Sequence, residues 1–301
     1  MALVRATTCP CCATPGGSRF QWGLLSPFLA RRALDGQVAP CRIFECEACG
    51  HRWTERGLTK DEAARLYTGY RGEEYFNLRH SLEPWYTRSV NDGIGSEAEM
   101  SGRRQLMARL LAKAGLDGRH FETVVDWGGD RGQMLKELPA SRRLVYEVSQ
   151  VEPDPGIERV GQLEEVAGAA ELVLNCHVLE HLNDPASGLA ESVTPLAPGG
   201  HLYLELPFEP WDGPFLPPAF AARWLEALAT KRWPLLVMDF LSTAARVKLK
   251  VVPPLGFLAV REHLNFFTVD SVRRLVVRAG LDPLVCERPD ARTLVAVARK
   301  P

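Results

Sequence analysis

Between residues 120 and 207 the chain alternates short runs rich in branched and aromatic residues with segments whose apolar positions recur every three or four residues. Residues 121–127 (FETVVDW), 143–148, a short run at 157–160, 171–176 (ELVLNC) and 200–206 (GHLYLEL) read as five strands. Residues 133–138 and 186–193 read as helices between them, and the turn Pro198-Gly199 leads into the fifth strand. Strands and helices alternating over short connections predict an α/β fold with a doubly wound, parallel, Rossmann-like sheet. The pattern is interrupted over 208–260, which holds PWDGPFLPP and a predicted helix at 219–229. An insertion after the fifth strand is anchored over the carboxyl ends of the strands, where it can serve as a lid. An amphipathic helix at 268–279, with Thr268 or Asp270 as N-cap and Gly280 closing it, then leads to two last strands at 283–286 and 292–298.

Four regimes follow: a Cys-rich module at 1–57, a helical linker or lid at 58–110, the core at 111–207 and 261–301, and the insertion at 208–260. With 301 residues, 46% hydrophobic and 24% charged, the chain is long enough for one large domain and a small appendage. The formal net charge of -1 lacks the strongly basic face that binding to a phosphate backbone demands, which argues against nucleic acid. The opening MALVRATTCPCC has no apolar signal core, and the apolar stretch 233–241 is short and contains Asp239. A cytoplasmic protein without a membrane partner is therefore expected.

Six of the eight cysteines precede residue 50. Cys9-x-x-Cys12 and Cys46-x-x-Cys49 form two knuckles that can aim four thiolates at one tetrahedral Zn²⁺. With Gly50, Phe44 and Trp53 beside them they fit a zinc ribbon, whose metal supplies folding energy that so small a module lacks. A catalytic zinc would need an open position, which four thiolates close. Cys11 or Cys41 can stand in for one of the four, and Cys176 and Cys286 read as small buried apolar residues.

Val124-Val125-Asp126-Trp127-Gly128-Gly129-Asp130-Arg131-Gly132 turns sharply from strand towards helix, and its free N-H groups favour a carboxylate or phosphate. Glu147 follows Gly128 by 19 residues, the distance at which a carboxylate meets ribose hydroxyls. That pairing suits NAD as well. The spacing G-G-x-x-G, however, departs from the dinucleotide pattern G-x-G-x-x-G, and Asp126 is placed to meet an ammonium.

VVDWGGDRG resembles the first motif of class I S-adenosylmethionine-dependent methyltransferases, D-x-G-x-G-x-G, with Asp130 where that pattern has glycine. Tyr146-Glu147-Val148-Ser149 resembles their second motif, Asn175-Cys176-His177-Val178-Leu179-Glu180-His181 their fourth-strand segment, and Leu196-Ala197-Pro198-Gly199-Gly200 their approach to strand five. The resemblance implies that Asp126, Gly128, Gly129 and Gly132 surround the methionyl part of the cofactor and Glu147 the ribose. Val148, Gln162 and Leu163 would then lie at the adenine, with Cys176 and His177 lining the pocket.

A zinc ribbon followed by Tyr67, Tyr70 and Tyr75 is similar to the sugar C-methyltransferases of deoxysugar pathways, and Arg261-Glu262-His263-Leu264-Asn265-Phe266-Phe267 resembles the segment that carries their Glu-His base pair. This implies His263, Glu262 and His181 as catalytic groups, Tyr70, Tyr75 and Glu205 at the acceptor, and a small sugar or natural-product acceptor methylated at carbon or oxygen. Members of that group carry a further C-terminal domain that has no counterpart here, so transfer to nitrogen stays open too. Trp211, Trp224 and Trp233 either line an apolar cleft or pack the insertion. An NAD-dependent oxidoreductase and a non-catalytic zinc-ribbon docking protein are the competing readings.

Overall fold

Two sheets organise the computed structural model, which describes residues 2–15, 19–149, 151–209, 218–249 and 258–301. In the N-terminal part, β1 (Arg19–Leu25) pairs antiparallel with β2 (Pro40–Glu45), and β2 with β3 (Arg52–Thr54). α1 (Pro27–Ala33) fills the first connection, its start fixed by the Ser26 hydroxyl, which accepts from the Leu29 N-H. α2 (Lys60–Tyr67), α3 (Glu73–Leu82) and α4 (Arg88–Gly93) follow, α2 closed by a full capping box between Thr59 and Glu62. α5 (Glu97–Lys113) runs across position 110 as one helix, and its Met100, Met107, Leu110 and Leu111 pack in one cluster with Phe121 and Val124. A division at 110 would cut this helix, which packs with the core.

The core continues through β4 (Phe121–Trp127), β5 (Ala140–Tyr146), the two-residue β6 (Glu158–Arg159), β7 (Ala170–Cys176), α6 (Pro185–Ser192) and β8 (Leu196–Pro207). The insertion contributes α7 (Pro218–Ala229), α8 (Arg232–Ala244) and β9 (Leu258–Val260), and the chain ends with β10 (Asn265–Phe266), α9 (Val269–Arg278), β11 (Asp282–Glu287) and β12 (Thr293–Arg299). The seven-stranded sheet has the order β11-β12-β8-β7-β4-β5-β6. Its β4 to β8 pairings are parallel, while β12 lies antiparallel to both neighbours, so the sheet is mixed. β4, β7 and β8 are buried along almost their whole length, as sheets covered on both faces require, which is why they read as continuous apolar runs.

Two expectations change. The helix expected at 133–138 is a single 3₁₀ turn, Gln133–Leu135, because Glu137 takes a left-handed φ of 66° and Pro139 disfavours a helical residue before it. The second strand starts earlier and ends at Tyr146, which leaves Glu147 and Val148 just beyond it.

The insertion does not return to the large sheet. β9 pairs parallel with β1 and β10 antiparallel with β3, giving a second sheet of order β10-β3-β2-β1-β9. Residues 261–264 therefore cross from one edge of the N-terminal sheet to the other.

Candidate active site

At the carboxyl end of β4 the glycine turn forms the floor of the candidate site. Asp130 adopts φ 54°, the left-handed conformation that glycine takes most readily and that Asp tolerates better than most residues. A Cβ on Gly129 would stand 2.4 Å from an Asp126 carboxylate oxygen, so only glycine fits there. Asp126 is buried, neither carboxylate oxygen finds a hydrogen bond among the described residues, and burial pushes its pKa up to about 7 despite the pull of Arg103. Arg103 reaches in from α5, its Nε donating to Glu205 at 2.6 Å while one terminal nitrogen stays buried without a partner. Glu147 accepts from the N-H groups of Asp130 (3.2 Å) and Ser149 (2.7 Å), one on each oxygen.

His177, itself at φ 58°, places its ring 3.1 Å from Glu205 and 3.4 Å from Glu180. Burial alone would favour the neutral ring, but the two carboxylates outweigh it and raise the pKa to about 9. Glu205 also accepts from the Tyr203 hydroxyl at 2.8 Å, and its pKa falls to about 2 because this network overcomes burial. Glu205, expected at the acceptor, is fully buried and engaged by Arg103, His177 and Tyr203.

Above this floor lies the 261–264 crossing. His181 Nδ1 stands 3.1 Å from the Glu262 carbonyl oxygen, and the His181 and His263 rings meet edge to face, centroids 4.9 Å apart. His263 Nδ1 lies 2.6 Å from a Glu209 carboxylate oxygen. Burial penalises a charged His263, yet its pKa rises because Glu209 faces it, with Glu180 and Glu262 adding to the effect; His181, dominated by burial and by the neighbouring His263, moves down. Glu262 accepts from the Tyr75 hydroxyl and from Arg79 at 2.9 Å, with the Tyr70 hydroxyl at 3.5 Å. Burial resists ionisation of Glu262, but Arg79 and Tyr75 hold its pKa below the ordinary value. Tyr75 is fully buried, so it positions Glu262 and is not exposed to an acceptor; Glu262 is likewise engaged, and Tyr70 remains partly accessible.

Cys9, Cys12, Cys46 and Cys49 bring four thiols within 4.8 Å of one another, with Sγ separations of 3.7 Å for Cys9–Cys49 and 3.5 Å for Cys12–Cys46. A tetrahedral zinc with bonds of ~2.3 Å spaces its sulfurs by about 3.8 Å. Cys11 and Cys41 are buried but stand outside this group. The Thr268 hydroxyl, N-cap of α9, donates to the Cys49 carbonyl at 2.6 Å, and Arg278 donates to the Pro10 carbonyl at 2.8 Å, tying the knuckles to the core.

Of the residues expected at an adenine, Val148 is 85% exposed at the strand end, Gln162 opens a 3₁₀ turn and the Leu163 side chain is buried within the core. Cys176 is half-buried at the end of β7. Trp211 lies outside the described residues; Trp224 packs the insertion and Trp233 stands exposed. Arg79, Arg103, Glu180 and Glu209 escaped the sequence reading. Glu180 lay inside the quoted fourth-strand motif, whereas the others are single charges with no motif spacing.

A family model described as a methyltransferase domain matches residues 100–286. No curated protein matches the chain. Similar solved structures include the 1,6-didemethyltoxoflavin-N1-methyltransferase of Burkholderia thailandensis with bound 1,6-didemethyltoxoflavin and S-adenosylhomocysteine, 16% identical, TM-score 0.44, covering 86% of this chain and 95% of that one. Human N-acetylserotonin methyltransferase in complex with SAM is 19% identical, TM-score 0.41, over 79% and 59%. The N-methyltransferase NodS of Bradyrhizobium japonicum in complex with S-adenosylhomocysteine is 16% identical, TM-score 0.37, over 65% and 87%.

Proposed function

Since the chain belongs to the methyltransferase-domain family and is an S-adenosylmethionine-dependent methyltransferase, we propose that its acceptor is a small hydroxylated molecule, a sugar or natural-product intermediate, methylated at carbon or oxygen. The observation that carries this reading is the His181–His263 pair, poised at the strand ends with Glu209 on one ring and a backbone carbonyl on the other. Family membership removes the oxidoreductase alternative.

The residues present fit the cofactor. Arg103 offers one unpartnered guanidinium nitrogen and Asp126 an unpartnered carboxylate, the complement of an amino acid's two ends, and Glu147 retains lone pairs for ribose hydroxyls. Val148, the backbone around Gln162 and Leu163, and Cys176 with His177 complete that side of the pocket. When bound, S-adenosylmethionine supplies an electrophilic methyl carbon on a sulfonium. The protein's own task is to place the acceptor and remove its proton. His263 takes that proton at Nε2, since Nδ1 is engaged by Glu209, whose carboxylate stabilises the imidazolium that forms. Glu262, clamped by Tyr75 and Arg79, positions the segment, and Tyr70 borders the acceptor. Zinc in the four-thiolate group is structural, because no position is left open.

The test is methyl transfer from labelled S-adenosylmethionine to a panel of sugar and sugar-nucleotide acceptors. His263→Ala should keep affinity for S-adenosylhomocysteine and lose turnover by roughly 10²-fold or more. The base must be neutral to accept a proton, so wild-type turnover should rise with pH through a pKa above the ordinary 6.5, and Glu209→Gln should move that limb to lower pH. An undiminished rate in His263→Ala would remove it from the chemistry.

A further inference from the structure

α8 has two apolar faces where a helix packed on one side needs only one. Leu235, Leu236, Asp239 and Ser242 are buried against the protein. On the other side Trp233 (73% exposed), Val237, Phe240 and Leu241 face outward. Their spacing, i, i+4, i+7 and i+8, is that of a single stripe. Phe220 on α7 and Leu249 beyond α8 are exposed as well, and Trp85 extends the stripe through a ring contact with Phe240 at 5.6 Å. Contiguous apolar surface of this kind marks an interaction site.

Charge identifies the partner. Residues 218–249 carry Arg223, Lys231, Arg232, Arg246 and Lys248 against Glu226 and Asp239, and Asp239 is buried in an ion pair with Arg261 at 2.9 Å. Lys231 and Arg232 are exposed at one end of α8 and Lys248 beyond the other, with the Arg232 guanidinium 5.9 Å from the centre of the Trp233 ring. A segment this cationic in a chain of net charge -1 repels a second copy of itself.

We propose that α8 docks on an anionic lipid surface, lying in the plane of the interface with Trp233, Val237, Phe240 and Leu241 at the acyl boundary and Lys231, Arg232 and Lys248 among headgroup phosphates. Aromatic and aliphatic residues on one helical stripe, flanked by Lys and Arg, form the pattern of interfacial helices. No helix among the described residues is long and apolar enough to cross a membrane, so this contact is peripheral. The buried face of the same helix grips Arg261, next to Glu262 and His263, which keeps the acceptor site close to the docked surface.

Co-sedimentation of the full chain with phosphatidylglycerol-containing and pure phosphatidylcholine vesicles tests the proposal. Binding should require phosphatidylglycerol and weaken with salt. Both the W233E/F240E and the K231E/R232E double variants should reduce it by roughly tenfold or more, while S-adenosylhomocysteine affinity stays at the wild-type value. Equal binding of the W233E/F240E variant, or binding indifferent to phosphatidylglycerol, overturns it. So does a chain that ignores vesicles, whether it is a monomer or a dimer that W233E dissociates; the dimer would assign the stripe to a second copy.

Discussion

Asp126 is held where a carboxylate is costly, buried at the end of β4 with its pKa pushed up to about 7 chiefly by burial. The unfolded chain releases that proton near 3.8, so between the two values the folded state binds more protons and stability falls as pH rises, levelling off above about 7. A cation brought against the carboxylate would offset that cost further than Arg103 does. Asp126→Asn is therefore expected to raise the melting temperature of the ligand-free protein above neutral pH, yet to weaken S-adenosylhomocysteine by roughly tenfold or more, since an amide replaces a charged partner. Wild-type affinity should climb with pH until Asp126 is ionised, whereas the variant's should stay flat over the same range. Calorimetric titration across that range, paired with thermal melts, checks both halves; a variant that binds as tightly as wild type would show that Asp126 does not meet the ammonium. Asp130 teaches the complementary lesson. Its departure from the glycine of the methyltransferase motif leaves the turn intact, because the side chain accepts the same left-handed backbone.

Elements were legible where their burial was simple. β4, β7 and β8 are buried on both faces and show as apolar runs, and α9 carries its own start and stop in Thr268 and Gly280. α8 was not read as a helix because Pro234 in its first turn, a buried Asp239 and a second apolar stripe blur the period. β9 and β10 were invisible for a different reason: each is short and pairs with a strand more than 200 residues away in sequence, which no local pattern announces. In the site, the Cys knuckles and Glu262-His263 had spacing and neighbours to mark them, while Arg79, Arg103 and Glu209 had neither. Arg261 shows what such unmarked charges do between elements. Half-buried, it joins buried Glu83 at the end of α3 to buried Asp239 of α8, at 2.5 and 2.9 Å. Arg261→Met would leave buried Asp239 without an ion partner and Glu83 with Arg79 alone, and urea unfolding should register a loss of roughly 3–5 kcal/mol. A loss below about 1 kcal/mol, within the range of exposed pairs, would mean that the bridge is solvated.

On the scale of the whole molecule, the Cys module and the 261–264 crossing are one mechanical unit. β9 and β10 flank Arg261, Glu262, His263 and Leu264, and both strands depend on the N-terminal sheet for their partners. Cys9, Cys46 and Cys49 share a hydrophobic cluster with Phe267 and Val272, so the knuckles also seat the N-terminus of α9. A four-thiolate zinc contributes roughly 10–16 kcal/mol to folding, as much as or more than the 5–15 kcal/mol that stabilises a typical domain. Removing it should therefore release the module before it disturbs the seven-stranded sheet. Chelation, or Cys12→Ser, is expected to abolish methyl transfer while S-adenosylhomocysteine affinity changes far less, because Asp126, Arg103 and Glu147 sit on β4, α5 and the end of β5. Metal analysis with parallel activity and binding titrations separates the outcomes. Turnover that survives complete loss of zinc would show that the 261–264 crossing is held by the core alone, through the Glu262 carbonyl at His181 and the Leu264 N-H that donates to Glu180.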